Sequence, residues 1–328
     1  LCKHSGDAFE ALASLAEKSL LRPLETTSGE VSFSMLFVLR QFALGLLEQT
    51  GELPAYRLAH ATFYLALAEQ AKSAQSSNHQ ARWFAILEQE NDNLRAALNW
   101  SIMNQETETA FRLLGALWAY WFERGHLREG GSWAEQILPL AERHPVSTEL
   151  HANALFGTAV LMEDMSNHET ARVSFEQCLG MYQRIGDRKG AAKTMEVLGE
   201  SLYFHGDIQA GARLLKESNA LMREIGDKRV LSTSFVKNAW VAMEQGDYAL
   251  AQSLLDDSLA LARELADRGG TGYALSSLGI LALYQKDYER AKRLLEESYQ
   301  IFEAMGKHQH ATTVLESLGI AFLGLNQF

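Results

Sequence analysis

The stretch that decides the fold runs from Gly206 to Asp227 and reads GDIQAGARLLKESNALMREIGD. It recurs from Gly246 to Asp267 as GDYALAQSLLDDSLALARELAD and from Lys286 to Lys307 as KDYERAKRLLEESYQIFEAMGK. An earlier copy, Ser166 to Asp187, reads SNHETARVSFEQCLGMYQRIGD, and another begins at Asn326. Each copy is offset from the next by 40 residues. A fixed period of this length indicates one supersecondary unit stacked on itself.

The segments between the copies complete the unit. Ala191 to His205 and Gly272 to Gln285 are apolar at helical spacing and contain no proline. The pair Gly206-Asp207 follows the first of these segments. Because left-handed glycine ends a helix and aspartate caps the next one, each unit is predicted to be two helices joined by a tight turn. Neither helix can cover its apolar face alone, so the units are predicted to stack as an α-solenoid.

Small residues recur at fixed positions of both predicted helices. They are Gly199, Ala239, Gly279 and Gly319 on the first helix, and Gly211, Ala251 and Ala291 on the second. In this pattern residues 146–328 resemble the tetratricopeptide repeat, in a 40-residue form rather than the usual 34. The resemblance implies an all-α, right-handed superhelix in which the first helices line a concave groove. Two departures are that Gly211 replaces the usual alanine and that Asn238 occupies a leucine position.

Residues 1–50 follow a different pattern. Ala8 to Lys18 and Phe37 to Gln49 are each predicted to form an amphipathic helix. Between them, the apolar-rich segments Ser19 to Leu24 and Val31 to Leu36 flank a polar turn, which predicts a β-hairpin. Helix, hairpin and helix in this order form the closing half of a winged helix.

Several short blocks carry a second resemblance. They are Leu15-Ala16-Glu17-Lys18-Ser19-Leu20-Leu21, Val31-Ser32-Phe33-Ser34-Met35-Leu36, Leu39-Arg40-Gln41-Phe42-Ala43, Leu87-Glu88-Gln89-Glu90 and Asp92-Asn93-Leu94-Arg95-Ala96-Ala97-Leu98. The first three blocks resemble the winged-helix segment of bacterial signal-transduction ATPases with numerous domains, and the similarity continues through the last two. The resemblance implies that an ATPase core, which would bind ATP or ADP, precedes this segment, and that the repeats act as a sensor. The family's Met-His-Asp triplet is replaced here by Met35-Leu36-Phe37, so nucleotide sensing is not carried over to Leu36.

Composition limits the classes of function. The 328 residues are 47% hydrophobic and 22% charged, with a net charge of −11. With no basic stripe, we expect no direct contact with nucleic acid. No apolar run approaches 18 residues, so no membrane span is expected. We expect no signal peptide, and the two distant cysteines, Cys2 and Cys178, favour free thiols in the cytoplasm. Because the sequence begins at Leu1 and not at an initiator methionine, we expect the chain to be part of a larger protein.

Residues 51–145 are predicted to be helical but irregular. Five of the six tryptophans fall here: Trp83, Trp100, Trp118, Trp121 and Trp133. These aromatics are interpreted as a packed joint between the winged helix and the repeats, with a ligand pocket as the alternative. The helices around Gly125 are interpreted as a degenerate first repeat.

No catalytic constellation is apparent. The chain contains no G-x-x-x-x-G-K-[ST] loop, so it is predicted not to be an enzyme, and neither cofactor nor metal is expected. The pair His308-x-His310 lies in a loop without a further ligand, which favours a solvated loop. Cys178 occupies the position of Ser218, Ser258 and Ser298 in later copies, so we interpret it as a packing residue.

The remaining functional surface is the groove. Its predicted ligand- or partner-binding residues are Phe156, Lys193, Glu196, Glu200, Tyr203, Lys237, Trp240, Glu244, Tyr273, Ser277 and Tyr284. Trp240 has two interpretations, an exposed anchor for a peptide or sugar and a packing residue against the neighbouring helix. Asn238 is interpreted as hydrogen-bonded to a helix terminus or to water rather than to a ligand.

We therefore predict a sensor module of a transcription-regulating ATPase, with a protein, peptide or small-molecule inducer in the groove. A free-standing tetratricopeptide scaffold for protein partners is the alternative. An enzyme with its site in the tryptophan-rich region is a third hypothesis, supported only by the aromatics. Leu318, Phe322 and Leu325 are predicted to form an uncapped apolar face through which the chain dimerises.

Overall fold

A computed structural model describes residues 5–25, 31–74 and 80–325. Almost all of them are helical, and the strands form one small sheet. The chain divides into two compact units, residues 1–161 and residues 162–328. The predicted boundaries at residues 50 and 145 stay predictions.

The first unit opens with the predicted helix, hairpin and helix. These elements are α1 (Ser5–Glu17), β1 (Leu21–Glu25), β2 (Val31–Met35) and α2 (Phe37–Gln49). The strands pair antiparallel, with Leu21 opposite Met35 and Glu25 opposite Val31. The predicted turn and Cys2 lie outside the described residues. The assignment of these elements to a winged helix remains a prediction.

The rest of the first unit is a bundle of unequal helices. They are α3 (Leu53–Ser73), α4 (Gln80–Gln89), α5 (Asn91–Met103), α6 (Thr107–Arg124), α7 (Leu127–Ile137), α8 (Leu140–Arg143) and α9 (Thr148–Asp164), the last crossing the division. Phe111, Tyr120 and Trp121 are almost fully buried at its centre. The other four tryptophans of this region are partly buried against the same cluster. This burial supports the packing interpretation of the aromatics over a ligand pocket.

The second unit follows the 40-residue period. Its helices are α10 (His168–Ile185), α11 (Arg188–Phe204), α12 (Ile208–Ile225), α13 (Lys228–Glu244), α14 (Tyr248–Glu264), α15 (Arg268–Tyr284), α16 (Tyr288–Ala304) and α17 (His308–Gly324). The first helix of successive repeats begins at residues 188, 228, 268 and 308. The predicted pair of helices per repeat is therefore confirmed.

The turns inside the repeats have the predicted chemistry. Gly206 and Gly246 adopt left-handed backbone conformations, with φ of 101° and 76°. The following residues, Asp207 and Asp247, accept hydrogen bonds from the backbone N–H three residues later, at 3.1 and 3.0 Å. Lys286 takes the same left-handed conformation at φ 62°, because its position in the repeat requires it.

The small residues allow the paired helices to approach closely. A Cβ on Gly211 would lie 2.6 Å from the carbonyl oxygen of Gly199, and one on Gly279 would lie 2.6 Å from Leu295 Cγ. Both distances are too short for a side chain. Glycine in place of the usual alanine at residue 211 therefore reflects an especially close contact between α11 and α12.

Buried hydroxyls also link the two helices of a repeat. Ser218 donates to the carbonyl of Ala192 at 2.7 Å, and Ser298 donates to that of Gly272 at 2.8 Å. Ser258 exchanges hydrogen bonds with Ser232 in the same place. Ser218, Ser258 and Ser298 are fully buried, and Ser232 is nearly so. They therefore satisfy polar groups inside the core and fix the register of each helix pair.

The apolar side chains that are exposed on α17, the last described helix, are not the predicted ones. Leu318 is 5% exposed and Phe322 is partly buried, because both pack against the core cluster that includes α16 residues. The exposed apolar side chains are instead Leu315, Ile320 and Leu323. Leu325 is also partly buried, so the predicted apolar face is wrong: its members are packed, and a different set of apolar side chains is exposed on α17. Dimerisation stays a prediction.

Candidate functional site

Three of the predicted groove residues form a charged cluster in the second unit. Glu196 and Glu200 lie one turn apart on α11, and Lys237 lies on α13. Lys237 Nζ donates to Glu200 Oε2 at 2.8 Å and lies 3.7 Å from Glu196 Oε2. The first helices of two successive repeats are therefore linked by one lysine between two carboxylates.

The buried member of the cluster is Glu196. The residue is 5% exposed, and its Oε1 has no hydrogen-bond partner among the described residues. Burial raises the pKa of this carboxyl, and the charge of Lys237 offsets only part of the effect. A buried acceptor without a donor is costly, so a donor that reached Oε1 would stabilise the cluster.

Lys237 remains a charged partner. Burial favours its neutral form, but the carboxylates of Glu196 and Glu200 outweigh that effect and raise the lysine pKa. Its side chain keeps 27% of its surface exposed, and that of Glu200 keeps 25%. The cluster thus combines a buried acceptor with charged groups that solvent can reach.

The charged cluster of Glu196, Glu200 and Lys237 is not repeated at the equivalent positions of the neighbouring repeats. In the 40-residue register, Val197 and Ser277 are the equivalents of Lys237 in α11 and α15. Trp240 and Ile280 are likewise the equivalents of Glu200. The repeat fold therefore does not require charges at these positions.

Two predicted groove residues are buried instead of accessible. Tyr203 is 9% exposed and packs with Leu215 and Val241, since Gly211 leaves room for its backbone and Cβ. Ser277 is 4% exposed. Neither side chain offers a partner much surface.

Trp240 packs against the apolar cluster that includes Phe235, Leu254 and Leu278, and it remains partly exposed. The packing interpretation of Trp240 is thus supported, although part of its surface is free for contact. Asn238 donates to the carbonyl of Ser234 in its own helix at 2.9 Å. It is hydrogen-bonded within the protein, but to a mid-helix carbonyl and not to a helix terminus.

A second polar group joins α13 and α15. Tyr284 is 45% exposed, and its hydroxyl donates to Glu244 Oε1 at 3.2 Å. Desolvation and the negative charge of Glu244 raise the pKa of this phenol. The ring of Tyr248 lies 6.1 Å away, between centroids. This edge presents aromatic surface together with a carboxylate.

The remaining predicted residues are separate from these groups. Tyr273 is 39% exposed and hydrogen-bonds with His310, whose ring lies 5.3 Å from that of Phe302. Lys193 is exposed on α11. Phe156 belongs to the first unit, where its ring lies 5.8 Å from that of Trp118.

The residues with potential reactivity behave as packing residues. Cys178 is buried, its thiol donates to the carbonyl of Phe175 at 3.3 Å, and burial raises its pKa to about 11. A thiol with this pKa is not a nucleophile at neutral pH. The predicted loop at His308 and His310 is wrong, because both residues lie in the first turn of α17. The side chain of His308 lies outside the described residues, and the ring of His310 contacts those of Tyr273 and Phe302.

Sequence reasoning passed over one further cluster, which consists of Glu163, His168 and His205. Its signal was present in the repeat register, because the equivalent positions of later copies carry other residue types. The buried serine hydrogen bonds were also missed, since spacing alone identifies only a small side chain.

Comparison with known proteins defines the class of fold. Residues 231–304 match the family model described as the tetratricopeptide repeat. Together with the observed helix pairs, this match establishes a tetratricopeptide-type α-solenoid. No helix among the described residues combines the length and apolarity needed to cross a membrane.

Curated relatives come from mycobacteria. A Mycobacterium tuberculosis protein, Rv0890c, provisionally named an HTH-type transcriptional regulator, is 32% identical over 229 residues. A counterpart from Mycobacterium bovis, Mb0914c, matches equally well. The match covers 68% of this chain and 25% of each relative. The chain therefore spans about a quarter of the length of the curated relatives it matches.

Solved structures share the fold at low sequence identity. The signal-transduction ATPase PH0952 from Pyrococcus horikoshii, which has a tetratricopeptide repeat sensor, aligns over 95% of this chain and 48% of its own. The TM-score is 0.56 at 15% identity. The quorum sensor NprR from B. thuringiensis aligns over 84% of this chain and 78% of its own, with a TM-score of 0.53 at 10% identity.

Proposed function

We propose that this chain is the sensor arm of a signal-transduction ATPase that regulates transcription. The mycobacterial relatives support the regulatory part, since the chain corresponds to one quarter of a provisionally named transcriptional regulator. The fold shared with the archaeal ATPase over 95% of the chain supports the sensor part. On this proposal ATP or ADP binds in a preceding domain, and no catalysis is assigned to the chain itself.

One observation carries the binding part of the proposal. Glu196 is a buried carboxylate with an unpartnered oxygen, on a first helix of the solenoid and beside the charged pair of Glu200 and Lys237. A ligand that brings a hydrogen-bond donor, such as a peptide amine or a sugar hydroxyl, would satisfy this oxygen. Trp240 and Tyr284 supply partly exposed aromatic surface on the neighbouring first helices.

Ligand binding would act by population shift. A ligand that binds one arrangement of the repeats more tightly stabilises that arrangement, and the ATPase responds if it favours the same state. We propose that this occurs in the cytoplasm. We also propose that this chain makes no direct contact with nucleic acid, because its net charge is −11. A separate domain would contact DNA.

The exposed face of α2 is consistent with a preceding domain. Phe37, Val38 and Phe42 are 73%, 75% and 67% exposed. Such a face is normally covered by a neighbouring element. The upstream part of a winged helix would fit there.

The test begins with the intact gene. A G-x-x-x-x-G-K-[ST] loop should precede Leu1, and the intact protein should hydrolyse ATP at a rate that changes when residues 188–328 are deleted. A matched variant of the loop lysine should abolish hydrolysis in both forms. Absence of the loop together with absence of ATP hydrolysis would contradict the proposal.

A free-standing scaffold is the second candidate, and one observation favours it. Leu315, Ile320 and Leu323 on α17 are 48%, 54% and 59% exposed, so a protein partner or a second copy of the chain could pack there. Sedimentation of the wild type and of a Leu323→Glu variant would test the second-copy form. A concentration-dependent dimer that the variant abolishes supports it, and a monomer at all concentrations opposes it.

A further inference from the structure

Glu163, His168 and His205 converge in the second unit. Glu163 lies near the end of α9, His168 is the first residue of α10, and His205 follows α11. One potential ligand atom from each side chain lies within 4.8 Å of the others. The two imidazole rings are 3.7 Å apart between centroids. Two histidines and a carboxylate from three helix ends therefore share one small volume.

The distances between the carboxylate and the two histidine nitrogens are long for hydrogen bonds. Glu163 Oε1 lies 3.3 Å from His168 Nδ1 and 3.5 Å from His205 Nδ1. An N–H···O bond is normally about 2.7–3.2 Å long. Two ligands of a tetrahedral ion with bonds of about 2.0–2.1 Å are, in contrast, roughly 3.3 Å apart. The carboxylate and the His168 nitrogen are thus spaced as neighbouring metal ligands.

Two atoms of the cluster lack other partners. Glu163 Oε2 and His168 Nδ1 are buried without a hydrogen bond among the described residues. His205 Nδ1 lies 2.7 Å from the carbonyl oxygen of Ser201 and donates to it, which leaves Nε2 as the lone-pair nitrogen. Metal-binding histidines commonly have such a bond from the opposite ring nitrogen to a backbone carbonyl.

The repeat does not impose these residues. The equivalents of Glu163, His168 and His205 are Tyr203, Ile208 and Gln245 in the next repeat, and Met243, Tyr248 and Gln285 in the one after it. Those sets contain no histidine and no carboxylate. The ligand-type side chains are therefore particular to one turn, and the solenoid folds elsewhere with other residues at the same positions.

We propose that Glu163, His168 and His205 form a binding site for a divalent transition-metal ion, Zn²⁺ in particular. Imidazole and carboxylate ligands suit Zn²⁺, and three protein ligands leave a fourth position for water. Both histidine side chains are 40% exposed, so water can reach that position. A bound ion would connect the turn before α10 to the end of α11, and thus two successive repeats. This site is independent of the proposed sensor function.

Zn²⁺ titration of the chelator-treated full chain tests the proposal, with Co²⁺ absorption as a report on coordination. Three variants remove one ligand each. His205→Gln and His168→Tyr introduce the residues that later repeats carry at these positions, and Glu163→Gln preserves size. The control is His126→Gln, because His126 Nε2 lies 3.2 Å from Glu88 Oε2 but belongs to no group of three metal-ligand side chains among the described residues.

The wild type should bind one Zn²⁺ ion per chain at this cluster, and each ligand variant should weaken that binding at least about tenfold. Zn²⁺ should also raise the Tm of the wild type and of His126→Gln but not of His205→Gln. Circular dichroism checks that the variants fold. Equal Zn²⁺ affinity in the wild type and all three ligand variants, or no binding by the wild type, would overturn the proposal.

Discussion

The two units solve the same packing problem differently. The first unit fills its core with large aromatic side chains, such as Phe111, Tyr120 and Trp121, on helices of 4 to 21 residues. The second unit uses small residues at 40-residue intervals, with buried serines and aspartate caps in the same places of three successive repeats. A regular unit has an expected residue at every position, so unusual polar residues in it can be recognised, whereas the irregular unit gives no such reference.

The largest effect should come from the aromatic core. Trp121 is 1% exposed, and replacing it by alanine should lower the free energy of unfolding by about 3–5 kcal/mol. The loss combines buried apolar surface with an unfilled cavity. Urea denaturation followed by near-ultraviolet circular dichroism measures it.

The matched control for this change is Met103→Ala in the same unit, where Met103 is 73% exposed. It should change stability by no more than about 0.5 kcal/mol. Equal effects of the two substitutions would show that Trp121 does not hold the irregular unit together.

The regular unit should be sensitive to a single methyl group. The new Cβ of Gly211→Ala would lie 2.6 Å from the carbonyl oxygen of Gly199, so α11 and α12 must move apart to accommodate it. We expect a loss of about 1–3 kcal/mol, measured by urea denaturation. The result would be notable because Ala251 and Ala291 are the equivalents of Gly211 in later repeats.

Gly180→Ala on α10 is the opposite case. A Cβ there meets nothing within 4 Å, so alanine should stabilise the helix by about 0.5–1 kcal/mol. If both glycine substitutions stabilise the protein, the close contact between α11 and α12 is not a packing constraint.

A smaller effect is expected for the buried hydroxyls. Ser298→Ala removes the bond to the Gly272 carbonyl and should cost about 0.5–1.5 kcal/mol in chemical denaturation. Ser317 is partly exposed, and its hydroxyl bonds to the Thr313 carbonyl of its own helix at 3.4 Å, so Ser317→Ala supplies the control variant. No difference between the two variants would mean that the serine link contributes nothing measurable.

The same contrast explains what the sequence could predict. The period, the paired helices, the left-handed Gly206 and the capping Asp207 followed from spacing and local backbone chemistry. Long-range geometry did not. The spacing placed Tyr203 in the groove, but the room beside Gly211 draws it into the core. The repeat register marks the members of the Glu163 cluster as unusual one by one, but it does not show that the three helix ends meet.

The smallest and most specific effect concerns Glu196. Its pKa is raised in the folded state, chiefly by burial, so folding favours the protonated carboxyl. As the pH rises, Glu196 therefore loses its proton in the unfolded protein before it does so in the folded protein. The stability that the protonated carboxyl contributes is fully present below the ordinary pKa of 4.5, and it is lost as the pH rises through the raised pKa of the folded state. Glu196→Gln should remove that fall, and the exposed Glu217→Gln should leave it unchanged.

Thermal unfolding across pH 4 to 7 would show the difference as a flatter profile for Glu196→Gln. Lys237 does not obscure it, because its raised pKa adds stability that is present at all pH values below its ordinary value of 10.5 and is lost only above it. An identical profile for the wild type and Glu196→Gln would mean that the carboxylate already has a donor in solution. The proposed ligand contact at this oxygen would then lose its basis, while the regular repeat around it would remain intact.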